Sequence, residues 1–444
     1  MHGNGFFGKL NGMVIASIDL KDGHVVQLKN GKDLVLQRDD ADNLIAEFNR
    51  YGEVAVIDLD AAMRNTDEKG NAKNTELLKS LLRKGNIRVG GGIRTVKKAR
   101  ELISLGAEKV IIGSAAWNTE RKDGDPILNT AFLEELCNTI GKQRVIISVD
   151  AINGKIAVKG WAETANISMI DGAKEAEKYA SELLFTCVEK EGCMQGTNMD
   201  MVRELRNAVK CRVVAAGGVS SQKEICELES MGCDVQLGMA LYTGVVKLNE
   251  SFIECLDWKK TDGMMPVIAQ SPAGEVLMMG YATKEAFAKS FETGKLTFHS
   301  RTRNTLWTKG ETSGHFLELV KVRADCDRDT VLATVIPNGG TCHTGSWTCF
   351  GSEPDEKSSM ERLYATIKDR FANPKPGSYT ATLNDKRVRE KVMEEAEELT
   401  EAESKEDVIW EAADVLYFIS VLMYKEGVTW QDVYNELDKR HKEK

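Results

Sequence analysis

The densest chemistry in the sequence lies in two short segments, ADCDRDT and TCHTGSWTCFG. The first supplies Asp325, Cys326, Asp327 and Asp329, and the second Cys342, His343 and Cys349. Thiolates with a nearby imidazole suit zinc. Carboxylates at alternate positions present oxygen on one side of an extended segment and suit Mg2+. Soft and hard ligands side by side imply two metal positions. A structural zinc site beside a solvated acidic loop would use the same residues. A second acidic group has helical spacing. Glu395 and Glu398 in KVMEEAEELTEA, and Glu411 and Asp414 in WEAADVLYF, are i,i+3 pairs. Two such helices packed together gather four carboxylates, which repel unless cations lie between them. Mg2+ bridging to a pyrophosphate fits that arrangement. A solvated acidic face accounts well for the first segment. It accounts poorly for the second, whose acids sit in an apolar helix expected to be buried.

A third constellation is spread over the first half of the chain and is visible as a repeat. SIDLKDGHVVQL, from Ser17, resembles SVDAINGKIAVKG, from Ser148. RVGGGIRTVKKARELISLGAEKVIIGSAA resembles RVVAAGGVSSQKEICELESMGCDVQLGMAL. Each half thus offers one Asp, Asp19 or Asp150, and one glycine set. Gly90, Gly91, Gly92, Gly113 and Ser114 form the first set; Gly217, Gly218 and Gly238 form the second. Glycines let backbone N–H groups approach a phosphate, and a following helix N-terminus favours the anion. Two such sets suggest a ligand with a phosphate at each end. Two facing carboxylates can divide acid and base roles if their surroundings separate their pKa values. An Asp that merely caps a turn is the plainer reading of either one alone.

These residues need elements to hold them. Between 13 and 255, strand-like runs (VVQL, VAVIDLD, IRVGGG, KVIIGSA, RVIISVD, LLFTC, RVVAAGG, DVQLGMA) alternate with helical patterns such as VKKARELISLG. That alternation predicts a parallel sheet covered by helices, and its length fits a (β/α)8 TIM barrel with the two Asp at strand C-termini. Residues 256–352 change character. GEVLMMGYA, LTFHSRTR and VLATVIP are strand-like and broken by Gly and Pro, which predicts a small α+β domain. From about 357 the pattern is helical to the end, with FANPKPGSYTATLND read as a loop. The domains expected are 1–255, 256–352 and 353–444: a multidomain α/β, α+β and all-α chain.

The 444 residues carry a formal net charge of -9, with 42% hydrophobic and 29% charged residues, the composition of a globular protein. No basic run stands out, which argues against a nucleic-acid partner. No apolar run reaches the roughly 18 residues of a membrane span. The opening MHGNGFFGKLNG lacks the basic and apolar regions of a signal peptide. Ten irregularly spaced cysteines fit a reduced, cytoplasmic setting in which clustered thiols are first read as metal ligands.

The motifs resemble three families. The barrel is similar to phosphoribosylformimino-5-aminoimidazole carboxamide ribotide isomerase, which opens a bisphosphorylated aminoaldose by an Amadori rearrangement. Asp19 and Asp150 match its catalytic acids, and GKIAVKGW ending at Trp161 and Thr186 also fit. Four positions depart. Glu191 stands where that family usually has Asp, Cys193 where it has Thr, and Gln27 and Met239 where Arg is common. The sister cyclase family typically has Lys at the Gln27 position.

LDWKKTDGMMPVIAQ, GEVLMMGYA, FHSRTRNTLWTKGETSGH, DCDRD and CH-x5-CFG resemble phosphoribosyl-AMP cyclohydrolase. That resemblance implies zinc on Cys326, Cys342 and Cys349, Mg2+ on Asp325, Asp327 and Asp329, and a site built at a homodimer interface. It implies His343 as proton shuttle and Ser300, Arg301, Arg303, Trp307, Lys309 and Glu311–Gly314 as nucleotide contacts. SYTATL, KVMEEAEE and WEAADVLYF resemble phosphoribosyl-ATP pyrophosphatase. This implies Mg2+ on Glu395, Glu398, Glu411 and Asp414, and Lys391 on a phosphate. The three families act in succession, so a trifunctional enzyme of histidine biosynthesis is expected. The alternative is a bifunctional hydrolase with a non-catalytic ligand-binding or dimerisation barrel.

Overall fold

The computed structural model describes residues 14–29, 31–63, 72–119, 121–122, 124–351, 360–374 and 377–441. The opening segment read for a signal peptide and the boundary expected at 352/353 lie outside them. Eight parallel strands form the barrel: Val14–Lys21, Val54–Asp58, Ile87–Gly90, Lys109–Ile112, Val145–Ser148, Glu182–Thr186, Arg212–Ala216 and Cys233–Leu237. The last pairs with the first, Val14 opposite Val235, and closes the ring. Every strand-like run named between residues 13 and 255 falls on one of these strands or on the first hairpin. Alternate side chains point inward, where Ile15, Ala55, Ile111, Ile146, Leu184, Val214 and Ala216 form an interior cluster. The opposite set packs against the helices in the main core.

The sequence repeat is a structural repeat. The first strand runs into the hairpin His24–Lys29/Asp33–Arg38, and the fifth into the small sheet Ala151–Ile152/Lys155–Val158/Glu163–Ser168. Each excursion starts with a two-residue turn in which both φ angles are positive: Asp22 (53°) with Gly23 (85°), and Asn153 (50°) with Gly154 (73°). Asp-Gly and Asn-Gly are the dipeptides such a turn favours.

The N-terminal end of the barrel is closed by charge. Glu182 is paired with Arg88 (2.8 Å), Arg212 (3.2 Å) and Lys109, Arg88 also with Glu53, and Arg212 also with Asp234. Arg88, Glu182 and Asp234 are buried, so each charge depends on its partners.

The α+β domain follows directly. Its sheet has the order Val276–Ala282, Met265–Gln270, Val331–Pro337, Leu317–Ala324, flanked by the helix Lys284–Thr293 and the hairpin Thr297–Ser300/Thr305–Thr308. Strict alternation in MPVIAQ buries Met265, Val267 and Ala269 with Phe287, Phe291 and Phe298. This domain and the barrel belong to one compact unit, Met1–Phe350. It packs on the loops before the barrel strands and on the last barrel helix. Val322 N–H donates to the Arg50 carbonyl (2.9 Å), Lys321 Nζ to Asn49 Oδ1 (3.0 Å), and Tyr51 meets Phe291 edge-on. Phe252, in the helix Leu248–Glu254, stacks edge-on against Phe287 and Phe291.

The second compact unit, Gly351–Lys444, is helical. The helices Met360–Ala372, Asp385–Glu401 and Lys405–Lys425 pack around Ile367, Leu383, Val388, Phe418 and Val421, and the helix Trp430–His441 is tied to them by Trp430 Nε1, which donates to Ser420 Oγ (3.2 Å). Two expectations are corrected here. The stretch read as a loop contains the short helix Tyr379–Thr382, held because Thr380 is buried with its hydroxyl 2.7 Å from that of Tyr417. The helix carrying Glu411 and Asp414 is buried only in its second half; Val408, Ile409 and Trp410 are exposed. All ten cysteines are free thiols, and no described helix is long and apolar enough to cross a membrane.

Candidate functional sites

The C-terminal ends of the barrel strands surround a cavity of about 210 Å³. Asp19, Asp150 and Thr186 line it with both glycine sets, Ser114 and Trp161. Asp19 is carried by the first strand and accepts a hydrogen bond from Ser17 Oγ (3.0 Å); burial raises its pKa to about 6. Asp150 follows the fifth strand. Trp161 Nε1 donates to its Oδ2 (2.7 Å), while burial raises its pKa. Its Oδ1 is buried without a hydrogen-bond partner among the described residues. Trp161 is held at φ +67°, a left-handed conformation costly for a bulky residue.

The glycine sets occupy equivalent places. Gly91 (φ +100°) and Gly217 (φ +88°) each follow a strand closely enough that a Cβ would lie 2.1 Å from the Asp58 carbonyl or 2.7 Å from that of Cys187. Only glycine fits either position. Gly113 has open space beside it, and Ser114 Oγ accepts from Lys159 N–H (2.7 Å). The two ends differ in charge. Arg94 lines the first cradle, its guanidinium tethered to the Ala61 (3.0 Å) and Ala62 (3.3 Å) carbonyls. The second is lined by Gln236, Gly238 and Met239. Gln27 is buried against Gly238 and donates to the Val26 carbonyl.

Glu191 is the residue that sequence reasoning undervalued. It was visible as a departure, but the structure places it in the same cavity as Asp19 and Asp150. Burial, and then those two charges, push its pKa up to about 8. Burial thus raises all three acids of the cavity, and Glu191 keeps its proton at neutral pH.

In the α+β domain the loop Asp325–Thr330 brings Asp325, Asp327 and Asp329 within 4.8 Å of one another. Asp325 Oδ1 accepts the N–H groups of Asp329 (3.0 Å) and Thr330 (3.1 Å), which folds the loop into a tight turn. Lys260 ion-pairs with both Asp327 and Asp329. Its ammonium stands in for a cation, so the donor set fits a metal. Cys342 and Cys349 lie together, and the Thr344 hydroxyl donates to Cys342 Sγ (3.1 Å) and lowers its pKa. His343 Nδ1 is 3.7 Å from the same sulfur. Cys326 is exposed, with its thiol toward Asp327, and the three thiols form no common group among the described residues. Lys309 is buried beside the thiol pair, and burial lowers its pKa. Ser300, Arg301, Arg303 and Trp307 all lie on or next to one hairpin. Arg301 stacks on Tyr281 (4.0 Å), and Glu311 accepts from Thr308 N–H (3.1 Å).

In the helical unit Glu395, Glu411 and Asp414 come within 4.8 Å. Glu398 approaches Glu411 from the same helix as Glu395. Partial burial and these neighbouring charges raise the pKa of Glu411, whose Oε2 has no hydrogen-bond partner among the described residues. Lys391 pairs with Glu394 (2.8 Å) and Glu395 (2.6 Å). An unpartnered carboxylate oxygen in an acid cluster with one neighbouring ammonium fits a divalent cation.

The fold and these sites define a multidomain enzyme assembled from a (β/α)8 barrel, a small α+β domain and a helical domain. Family models match in that order: "Histidine biosynthesis protein" over residues 13–247, "Phosphoribosyl-AMP cyclohydrolase" over 278–351 and "Phosphoribosyl-ATP pyrophosphohydrolase" over 360–441. The chain belongs to the histidine-biosynthesis protein family, with an isomerase-type barrel ahead of cyclohydrolase and pyrophosphohydrolase domains. It is similar to the histidine biosynthesis bifunctional protein HisIE of Vibrio vulnificus strain YJ016, 45% identical over 205 residues, which are 43% of this chain and 96% of that protein. The protein of the same name from Escherichia coli K12 is 44% identical over 193 residues, 42% of this chain and 95% of the relative. That from Pasteurella multocida is 45% identical over 200 residues, 42% and 98%. Relatives of this length cannot hold a barrel as well as both smaller domains.

Proposed function

We propose that the chain catalyses three successive steps of histidine biosynthesis, running from its C-terminal to its N-terminal domain. Pyrophosphate leaves phosphoribosyl-ATP in the helical unit, the adenine ring is opened hydrolytically in the α+β domain, and the resulting aminoaldose isomerises in the barrel. The observation that carries the third step is the pairing of Asp19 and Asp150, each at a strand end beside its own glycine cradle.

In the barrel, a protonated carboxyl gives its proton to the ring oxygen as the C1–O bond opens and the nitrogen lone pair forms C1=N. A carboxylate then removes the C2 proton. The enaminol tautomerises to the ketose as C1 regains a proton. Asp19, with a pKa of about 6, is ionised at neutral pH and suits the base. Asp150, kept in place by Trp161, suits the acid, and Glu191, at about 8, holds a proton beside both. The cradles and Thr186 orient the ligand.

In the α+β domain, Cys326, Cys342 and Cys349 would hold zinc and Asp325, Asp327 and Asp329 would hold Mg2+. Zinc bound there supplies Lewis acidity that lowers the pKa of water toward about 7. His343 accepts the proton released, and Arg301, Arg303, Trp307 and Lys309 hold the nucleotide. The separation of Cys326 from the other two thiols supports a site shared between subunits of a homodimer. In the helical unit, Glu395, Glu398, Glu411 and Asp414 would hold Mg2+ against the departing pyrophosphate, and Lys391 would contact a phosphate. Ten free thiols support a reducing, cytoplasmic setting.

One observation favours a second reading, in which the barrel binds without turnover: among the described residues the second cradle is lined by Gln236 and Met239 and by no cation. Feeding phosphoribosyl-ATP to the protein with Zn2+ and Mg2+, beside an Asp19→Asn variant, separates the two. Product through to the ribulosyl isomer in the native chain, and arrest at the aminoaldose in the variant, is expected. Arrest at the aminoaldose in both would leave a bifunctional hydrolase with a ligand-binding barrel.

A further inference from the structure

The Asp325–Thr330 loop is tied to the barrel by its central residue. Arg328 Nη1 donates to Glu229 Oε2 at 3.3 Å. Glu229 lies in the last turn of the barrel helix Gln222–Ser230 and is 5% exposed. Arg328 sits at φ +61°, a conformation that L-residues other than Asn and Asp rarely adopt. Its carbonyl accepts the N–H of Asp257 (2.8 Å), just beyond the last barrel helix. Asp257 Oδ1 in turn accepts from the N–H of Lys260, the residue whose ammonium bridges Asp327 and Asp329. The loop is therefore gripped through side chain and backbone at Arg328, between Asp327 and Asp329. A left-handed arginine persists only where surrounding contacts over-determine it, and here the side-chain contact comes from another domain.

We propose that Glu229 is a positioning residue for the cyclohydrolase domain: by holding Arg328 it sets the Asp325–Asp329 loop in the conformation that takes a divalent cation. The proposal rests on the Mg2+ reading of that loop. It assigns the barrel a structural part in its neighbour's chemistry that is independent of any reaction in its own mouth. HisIE relatives of about 200 residues have no barrel to provide such a carboxylate.

The test is Mn2+ binding to the full chain, followed by electron paramagnetic resonance without substrate, with the C-terminal cluster silenced by Glu411→Gln. Glu229→Gln keeps the volume and removes the charge. It should weaken Mn2+ binding about ten- to hundredfold, as loss of an orienting partner does, and Glu229→Asp should recover part of it. With Glu411 native, the same Glu229→Gln change should raise the Mg2+ requirement of ring opening and leave pyrophosphate release unchanged. Arg328→Gly removes both the ion pair and the strained side chain, so it tests the idea should Glu229→Gln fold poorly. It should weaken binding similarly, and the double variant should lose no more than either alone. Unchanged Mn2+ affinity in folded Glu229→Gln and Arg328→Gly proteins would overturn the positioning role while leaving the metal reading intact. Binding that survives Asp327→Asn with Asp329→Asn would overturn the metal reading, and the proposal with it.

Discussion

Three carboxyl groups share the barrel mouth, and their proton count follows from burial more than from identity. Glu191 is held protonated to about pH 8, far above the ordinary 4.5, so the folded state prefers its neutral form. For a group raised in this way, stability falls as pH rises from its unfolded value through the folded one. Glu191→Gln should therefore unfold at higher temperature than the native protein, by a margin that grows between pH 5 and 8 and then levels. Calorimetry across that range checks the sign; a margin that shrinks with rising pH would refute it. For the isomerisation, ionisation of Asp19 near pH 6 should give kcat/KM an acid limb there, absent from pyrophosphate release by the same preparation. The positions of these acids were partly legible. Asp19 and Asp150 sit in repeated S-[IV]-D contexts, and Glu191 showed as a substitution. The charge state of Glu191 was not, because it depends first on burial and then on two acids far away in the chain. Lys260 and Glu229 carried no signal at all: a lysine in LDWKKTDG and a glutamate on a helix have no pattern that announces a partner elsewhere.

At the scale of elements, the hairpin after the first strand is anchored by one buried amide. Asn74, 0% exposed, accepts from Gly23 N–H (2.7 Å) and donates to Asp58 Oδ1 (2.8 Å) and Asp60 Oδ2 (3.0 Å). Asp60 Oδ2 also accepts from Asp22 N–H (2.8 Å). Asn74→Leu strands these groups and should cost about 1–3 kcal/mol, measured by denaturant unfolding. It should slow any barrel reaction and spare pyrophosphate release. The strands were readable because β-branched runs alternate with amphipathic helices. The Asp-Gly and Asn-Gly turns were written in their dipeptides. The helix Tyr379–Thr382 was not, since a Pro/Gly-rich local signal is outweighed by the contact of Thr380 with Tyr417. The apolar segment Val408–Trp410 read as buried because periodicity records hydrophobicity and does not record what covers it.

On the scale of the molecule, the α+β domain packs on the N-terminal end of the barrel, through Asn49–Tyr51, Glu229 and Phe252, while the cavity opens at the other end. Between them lie the interior aliphatic layer and the ion-pair network around Glu182. Among the described residues these layers fill the barrel interior, so the aminoaldose should reach the mouth through solvent. Starting from phosphoribosyl-AMP, the ribulosyl isomer should appear after a lag, and added unlabelled aminoaldose should dilute label from the product. Absence of dilution would indicate direct transfer. The compact units also predict separability: a chain ended within 352–359 should retain ring opening and lose pyrophosphate release.

The sequence by itself determined the three architectures, their order and the acids, thiols and glycines that could do chemistry. Periodicity, turn dipeptides and ligand spacing are local properties of the chain. Tertiary structure alone decided which groups meet: Glu191 with Asp19 and Asp150, Lys260 with the Asp327–Asp329 pair, Glu229 with Arg328, and Cys342 with Cys349 but not Cys326. Those meetings set pKa values and loop conformations through burial and through charges tens or hundreds of residues apart, terms that exist only once the chain has folded.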